Sequence, residues 1–196
     1  MFFTFLGILS SLVFIAADLP YAIQTYKRKV QPHRVTWFII FVLNVISFIN
    51  QAASGASNSL WIFGAGVIAT FSVFILSINR GVGGYSKVDI AALVGATIGL
   101  LLWWLLGTPL ASIIATVVVS MIALVPTYIK SYHNPKSESK FPWLIASIST
   151  FLAAISVGKL DYRLLILPVY STIVQAGVYV LLEVRGRQLI QRHLLR

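Results

Sequence analysis

No cysteine occurs in the 196 residues, which removes disulfide frameworks and thiolate metal sites and leaves the redox compartment unspecified. Charge is scarce too: charged side chains make up 10% of the chain, against about a quarter in soluble domains. No loop between apolar stretches is long enough to fold as a separate domain. The three histidines, His33, His133 and His193, show no ligand spacing, so neither a metal nor a cofactor is expected. The Gly81-Val82-Gly83-Gly84 run has no preceding strand, no Walker lysine pattern and no dinucleotide fingerprint, which excludes a phosphate loop and leaves a flexible connection.

What is present is apolar. Hydrophobic residues make up 58% of the chain and the mean hydropathy is +0.89, more apolar surface than a soluble core hides. Stretches able to cross about 30 Å of hydrocarbon fall at residues 2–25, 35–53, 59–79, 88–106, 109–130, 141–158 and 163–184. The first has no basic segment before it and no small-residue cleavage site after it, so it reads as a spanning helix and not as a signal peptide. Lys and Arg placement orients the chain. Thirteen of the fifteen fall on one side, leaving only Lys159 and Arg163 on the other. The odd loops and the C-terminus are therefore expected in the cytoplasm and the N-terminus outside. The net charge of +10 follows from that topology and from contact with anionic lipid headgroups. Nucleic acid is not expected as a partner, because no groove-reading element accompanies the basic residues.

A repeat organises these spans. Pro20, Tyr26 and Trp37 recur without a gap as Pro126, Tyr132 and Trp143, 106 residues later. Under that shift the first three helices superimpose on the fifth, sixth and seventh, and the fourth is left over. Three crossings are an odd number, so the extra helix is needed to bring the second unit parallel to the first, about an axis along the membrane normal. The expected fold is an all-α membrane protein of seven transmembrane helices, two parallel three-helix bundles joined by a linker helix (3+1+3). Residues 1–80 form the first repeat, 81–107 the linker and fourth helix, 108–185 the second repeat and 186–196 a basic tail. That tail is expected as a short interfacial helix on anionic lipid.

Leu19-Pro20-Tyr21 with Lys27-Arg28-Lys29 and Thr36-Trp37, and Val125-Pro126-Thr127 with the Lys136 to Lys140 loop and Pro142-Trp143, carry a resemblance. Each is a proline near the end of a repeat's first helix, then a polar basic loop, then an aromatic start to the next helix. From Phe2 to about Glu183 the chain resembles the PQ-loop and SWEET superfamily of seven-helix membrane proteins. Tyr21 and Thr127 stand where that motif's glutamine would, and Pro126-Thr127 is closer to the sugar-transporting branch. The pocket asparagine which that branch presents on the third helix of each repeat is replaced here by Thr70 and Ser72, and by Thr172 and Gln175. The resemblance implies a small-molecule transporter working by alternating access; the same architecture also serves sorting receptors.

Asp18 is the most informative side chain. A carboxylate inside a spanning helix costs about 2.5–3.5 kcal/mol on the lenient insertion scale and normally faces a bundle interior or water. It suits a cationic or hydroxyl-rich solute or a coupling proton; the alternative is a hydrogen bond to a neighbouring helix or a reach toward Lys27. Its repeat counterpart is Leu124. Asn44, Ser47 and Gln51 share one helix face at i, i+3 and i+7, and the sixth helix answers with Thr150, the counterpart of Asn44. Gln175 and Tyr170 are deep polar candidates on the seventh. Interhelical bonding, worth about 0.6 kcal/mol a pair in membranes, is the plainer use of any one of them. Pro20 and Pro126 remove a backbone donor at equivalent depths, as hinges or as fixed kinks. The tryptophans suit an aromatic belt, with Trp37 and Trp143 as gate candidates because they alone repeat.

The expected activity is transport of a small polar solute, with Asp18, Asn44, Ser47, Thr150 and Gln175 toward the solute. The alternative is a receptor or membrane chaperone on the same scaffold that binds without releasing across the bilayer. An enzyme is not expected, since one buried carboxylate without a second acid, histidine or nucleophile at that depth is a poor catalytic set. Membrane lipid is a further partner, and the chain is compatible with a homo-oligomer.

Overall fold

Long apolar runs with no water to bond their peptide groups can satisfy them only within the segment, as helix. The computed structural model describes residues 1–84, 86–106 and 109–194, with backbone alone at 99–100, 102–103, 106, 109, 112 and 189–194. Among the described residues seven α-helices follow one another: α1 (Phe2–Tyr26), α2 (Arg34–Ala53), α3 (Leu60–Arg80), α4 (Lys87–Leu106), α5 (Pro109–His133), α6 (Lys140–Ser156) and α7 (Tyr162–Leu194). A single 3-10 turn, Pro135–Ser137, precedes α6. Five segments, Phe2–Tyr26, Arg34–Ala53, Leu60–Arg80, Ile113–His133 and Tyr162–Gln188, are long and apolar enough to cross a membrane, as an integral multi-pass protein requires.

Two boundaries depart clearly from expectation, and a third falls outside the described residues. α6 has 17 residues, about 25 Å of helix, and does not run to 158. It stops because Gly158 takes a left-handed φ of 69°, the usual helix-ending conformation, with the Phe3 ring packed against it. α7 continues through the basic tail to Leu194, so residues 186–194 extend the last helix instead of forming a separate one. The expected Gly107–Thr108 turn lies outside the described residues.

The helices close into a ring. α1 packs on α3, α3 on α2, α2 on α5, α5 on α7, α7 on α6, and α6 back on α1, the last being the broadest interface. α4 stands outside it, against α5 and to a lesser extent α2. There Ala92 and Ala96 fill a core with Val35, Ile39, Leu43, Val119 and Ala123. Small residues set the spacing within the ring: a methyl at Gly66 of α3 would stand 2.6 Å from Asn44 Oδ1 of α2. Two cation–π contacts follow the sequence repeat at their tyrosines, with the second arginine one residue short of the position that matches Arg80. Arg80 lies 4.2 Å from the Tyr26 ring centroid, and Arg185 lies 3.9 Å from that of Tyr132, the counterpart of Tyr26.

At the end of the ring rich in Lys and Arg, the loops are built and not loose. The Gly81–Gly84 run, expected as a flexible connection, is a packed strap: Arg34 N–H donates to Val82 O, Val82 N–H donates to Pro32 O, and Arg34 Nη1 donates to Gly83 O. Gly83 has φ 80°, and a side chain there would collide with His33. Asp89 Oδ2 accepts from Gly84 and Ser86 N–H while Ser86 Oγ accepts from Asp89 N–H, a reciprocal cap on α4. His33 Nε2 stands 3.0 Å from Asp89 Oδ1, both groups buried, an ion pair whenever the imidazole is protonated, though not with hydrogen-bond geometry.

Burial holds the His33 imidazole below its ordinary value; Asp89 opposes the shift, and the cations Lys130 and Arg34 add to it. The unfolded chain therefore takes up that proton first as pH falls. It binds more protons than the folded state, so stability declines with falling pH below about 6.5 and is unaffected above it. The melting temperature of the detergent-purified protein should be level from about pH 8 to 7 and drop toward about pH 5.5. A His33→Gln variant should lose most of that slope; an unchanged slope would remove His33 as its source.

Candidate functional site: a cavity inside the helix ring

Six helices of the ring enclose a cavity of about 160 Å³, close to the ~150 Å³ that admits one benzene ring. Asp18, Asn44, Ser47, Thr150 and Gln175 all line it, and so do Trp37 and Trp143. These residues come from α1, α2, α6 and α7, so the closing of the ring is what brings them together. Pro20 and Pro126 do not line it; they sit inside α1 and α5 near the basic end. Pro168 of α7 does.

The polar lining is unequal between the two halves. On the α5–α7 side Thr150, Gln175, Tyr170 and Ser120 of the lining are bonded to side chains: Thr172 Oγ1, beside the lining, donates to Thr150 Oγ1 at 3.1 Å and Thr150 Oγ1 to Gln175 Oε1 at 3.4 Å. Tyr170 OH donates to Ser120 Oγ at 3.0 Å, and Tyr128 OH to Val174 O at 2.8 Å. On the α1–α3 side Asn44 Nδ2 donates to Ile40 O of its own helix and Thr70 Oγ1 to Gly66 O. Asp18 is partly buried, lines the cavity and makes no hydrogen bond or ion pair with any described residue. The contact to Lys27 weighed from sequence is not formed, and His33 is engaged with Asp89.

Toward the basic end the cavity lining is an aromatic floor. Trp37 and Trp143 stand with ring centroids 6.4 Å apart, and Tyr21 lies 5.2 Å from Trp37. Behind the floor Tyr21 OH donates to both oxygens of Glu138, at 3.2 and 3.0 Å, and Lys130 Nζ bonds to the same carboxylate. The Glu138 side chain has no exposure and that of Lys130 only 12%. Gln31 N–H donates to Ser137 O beside it. Toward the other end the lining runs out to Ile62, Ala153 and Leu167, all within five residues of a helix terminus.

Several lining groups escaped the sequence reading. Thr116 and Ser120 form an i, i+4 stripe on α5, a legible signal hidden in a long apolar run. Tyr21 and Glu138 were missed as a pair because only the fold joins positions 117 residues apart. Of the other candidates, Gln51 is buried without lining the cavity and Ser72 is exposed. Trp61 and Trp104 are exposed, as a belt would have them, and the Trp103 side chain lies outside the described residues. Among the described residues no cluster of three His, Cys, Asp or Glu is placed to hold a metal. Comparison with known proteins found no matching family model, no matching curated protein and no matching solved structure.

Proposed function

We propose that the chain is a membrane transporter that moves a small polar solute by alternating access between two parallel three-helix bundles, α1–α3 and α5–α7, with α4 the linking crossing. The observation that carries this reading is a solute-sized cavity, lined from both bundles, holding a carboxylate with no partner among the described residues. The ring order and the similar Tyr26–Arg80 and Tyr132–Arg185 contacts, whose arginines are offset by one residue in the repeat, support a parallel duplication. Lys and Arg excess assigns the basic end to the cytoplasm and the N-terminus to the outside. The conformation described is then closed toward the cytoplasm by Tyr21, Trp37 and Trp143.

Opening that end requires both donors to leave Glu138. Tyr21 follows Pro20 by one residue and Lys130 follows Pro126 by four, so both ride on the short helix ends beyond the prolines. A bend at either proline carries one donor away. Pro126 leaves the carbonyl one turn back without its helical donor, and the adjacent Ala123 O accepts Thr36 Oγ1 from α2 at 2.7 Å. Neighbouring hydroxyls of this kind let membrane helices keep prolines.

The reading is tested in proteoliposomes of purified full-length chain, screened with labelled sugars, amino acids and vitamins after a melting-temperature survey of the same compounds. A stabilising solute should show saturable flux that unlabelled solute accelerates from the opposite side. Stabilisation without flux would replace transport by a binding-only receptor or membrane chaperone.

A further inference from the structure

The charge inventory narrows what the cavity can hold. Of the five acidic residues in the chain, four are paired: Asp89 with His33, Glu138 with Lys130, Asp161 with Lys159, and Glu183 with Lys140 and Arg187. Among the described residues Asp18 alone has no partner, and it is the only charged side chain lining the cavity. No described Lys, Arg or His stands there to compensate it.

Three classes of solute meet that arrangement differently. An anion would be brought against an uncompensated carboxylate among apolar walls, a strongly unfavourable juxtaposition. A neutral solute would strip water from Asp18 and leave the charge unpaired. A cation supplies the missing partner. The floor adds a second preference, because indole and phenol faces attract alkylammonium groups through the ring quadrupole, and Tyr21, Trp37 and Trp143 gather one turn beyond Asp18. The polar groups opposite, Thr150, Gln175 and Tyr170, are bonded among themselves or to Ser120, so they supply neutral donors and acceptors and no charge.

We infer that the cavity binds a small organic cation, an alkylammonium no larger than about one six-membered ring. Its charge lies against Asp18 and its apolar body against Trp37 and Trp143. The step after binding rests on the transport reading; the binding itself does not.

The probes are choline, tetramethylammonium and piperidinium, set against 3,3-dimethylbutan-1-ol, the uncharged isostere of choline, and sodium chloride at matched ionic strength. Melting temperature and tryptophan fluorescence of the full-length protein are followed. At least one cation should raise the melting temperature progressively up to about 10 mM, by mass action, while the isostere and the salt do not. Asp18→Asn should lose about 10- to 100-fold in affinity for that cation, the low end of what close charge pairs contribute at buried interfaces. The comparison of isosteres needs no variant and stands even if Asp18→Asn does not fold. Equal stabilisation by the isostere, no stabilisation by any of the cations, or full affinity in Asp18→Asn would overturn the inference. Proteoliposomes separate it from the parent reading: cation binding without uptake defeats transport and leaves the cation site. Saturable uptake of a neutral solute without cation binding does the reverse.

Discussion

Glu138→Ala should be the most destabilising single substitution at the basic end, costing about 3–5 kcal/mol, because it strands the Lys130 ammonium without its buried counter-charge. Lys130 is only 12% exposed, and Tyr21 OH loses its acceptor at the same time. A melting temperature several degrees below the parent checks this. Replacing both Glu138 and Lys130 with Met should recover most of the loss, since a buried pair is often matched by apolar residues of similar volume. The double variant separates stability from gating: it removes the tie between the halves while keeping the molecule folded. With no native cysteine, a lone Cys introduced at Ala146 in that background is the only thiol. It should react faster with maleimide from the basic side than the same Cys behind an intact Glu138. Equal rates would mean that the tie does not hold the floor shut.

Trp143→Ala should cost nearly as much, about 3–5 kcal/mol, as large-to-small core changes do. Trp143 is 8% exposed and packs with Leu124, Val178 and Leu182, so its loss joins the cavity to the space behind the floor. Trp143→Phe should behave far more mildly, because Trp143 Nε1 is buried without an acceptor among the described residues and phenylalanine gives up no hydrogen bond. The two are ranked by melting temperature and by leak of solute from loaded proteoliposomes. Leak in the alanine variant and none in the phenylalanine variant is expected; a tight alanine variant would remove Trp143 from the gate.

The repeat and the apolar runs made most of the helices legible, because a bilayer leaves the backbone one solution and the Pro, Tyr and Trp register marks where it recurs. The cavity residues were legible for a related reason. Asp18, Asn44 and Gln175 are groups too polar for lipid, and the inside of the ring is the other place for them. Glu138 was not legible. In sequence it is one acid in the basic Lys136 to Lys140 loop and looks like solvated charge; its burial depends on α1 delivering Tyr21 from the other half. The Gly81–Gly84 strap was misread similarly, since glycine licenses close packing as readily as looseness, and only the neighbouring His33 and Pro32 decide between them.

α4 shields one of the two places where the halves of the ring meet. It lies over the meeting of α2 and α5, whereas beside the meeting of α1 and α6 the outward side chains Leu12, Ile15, Phe151 and Ile155 are exposed. A molecule whose inner shell nearly repeats is thus enclosed on one flank by protein and on the other by whatever surrounds it. If the chain transports as proposed, acyl chains would touch the moving parts there, and bilayer thickness and fluidity would gain a one-sided grip on how easily the ring flexes.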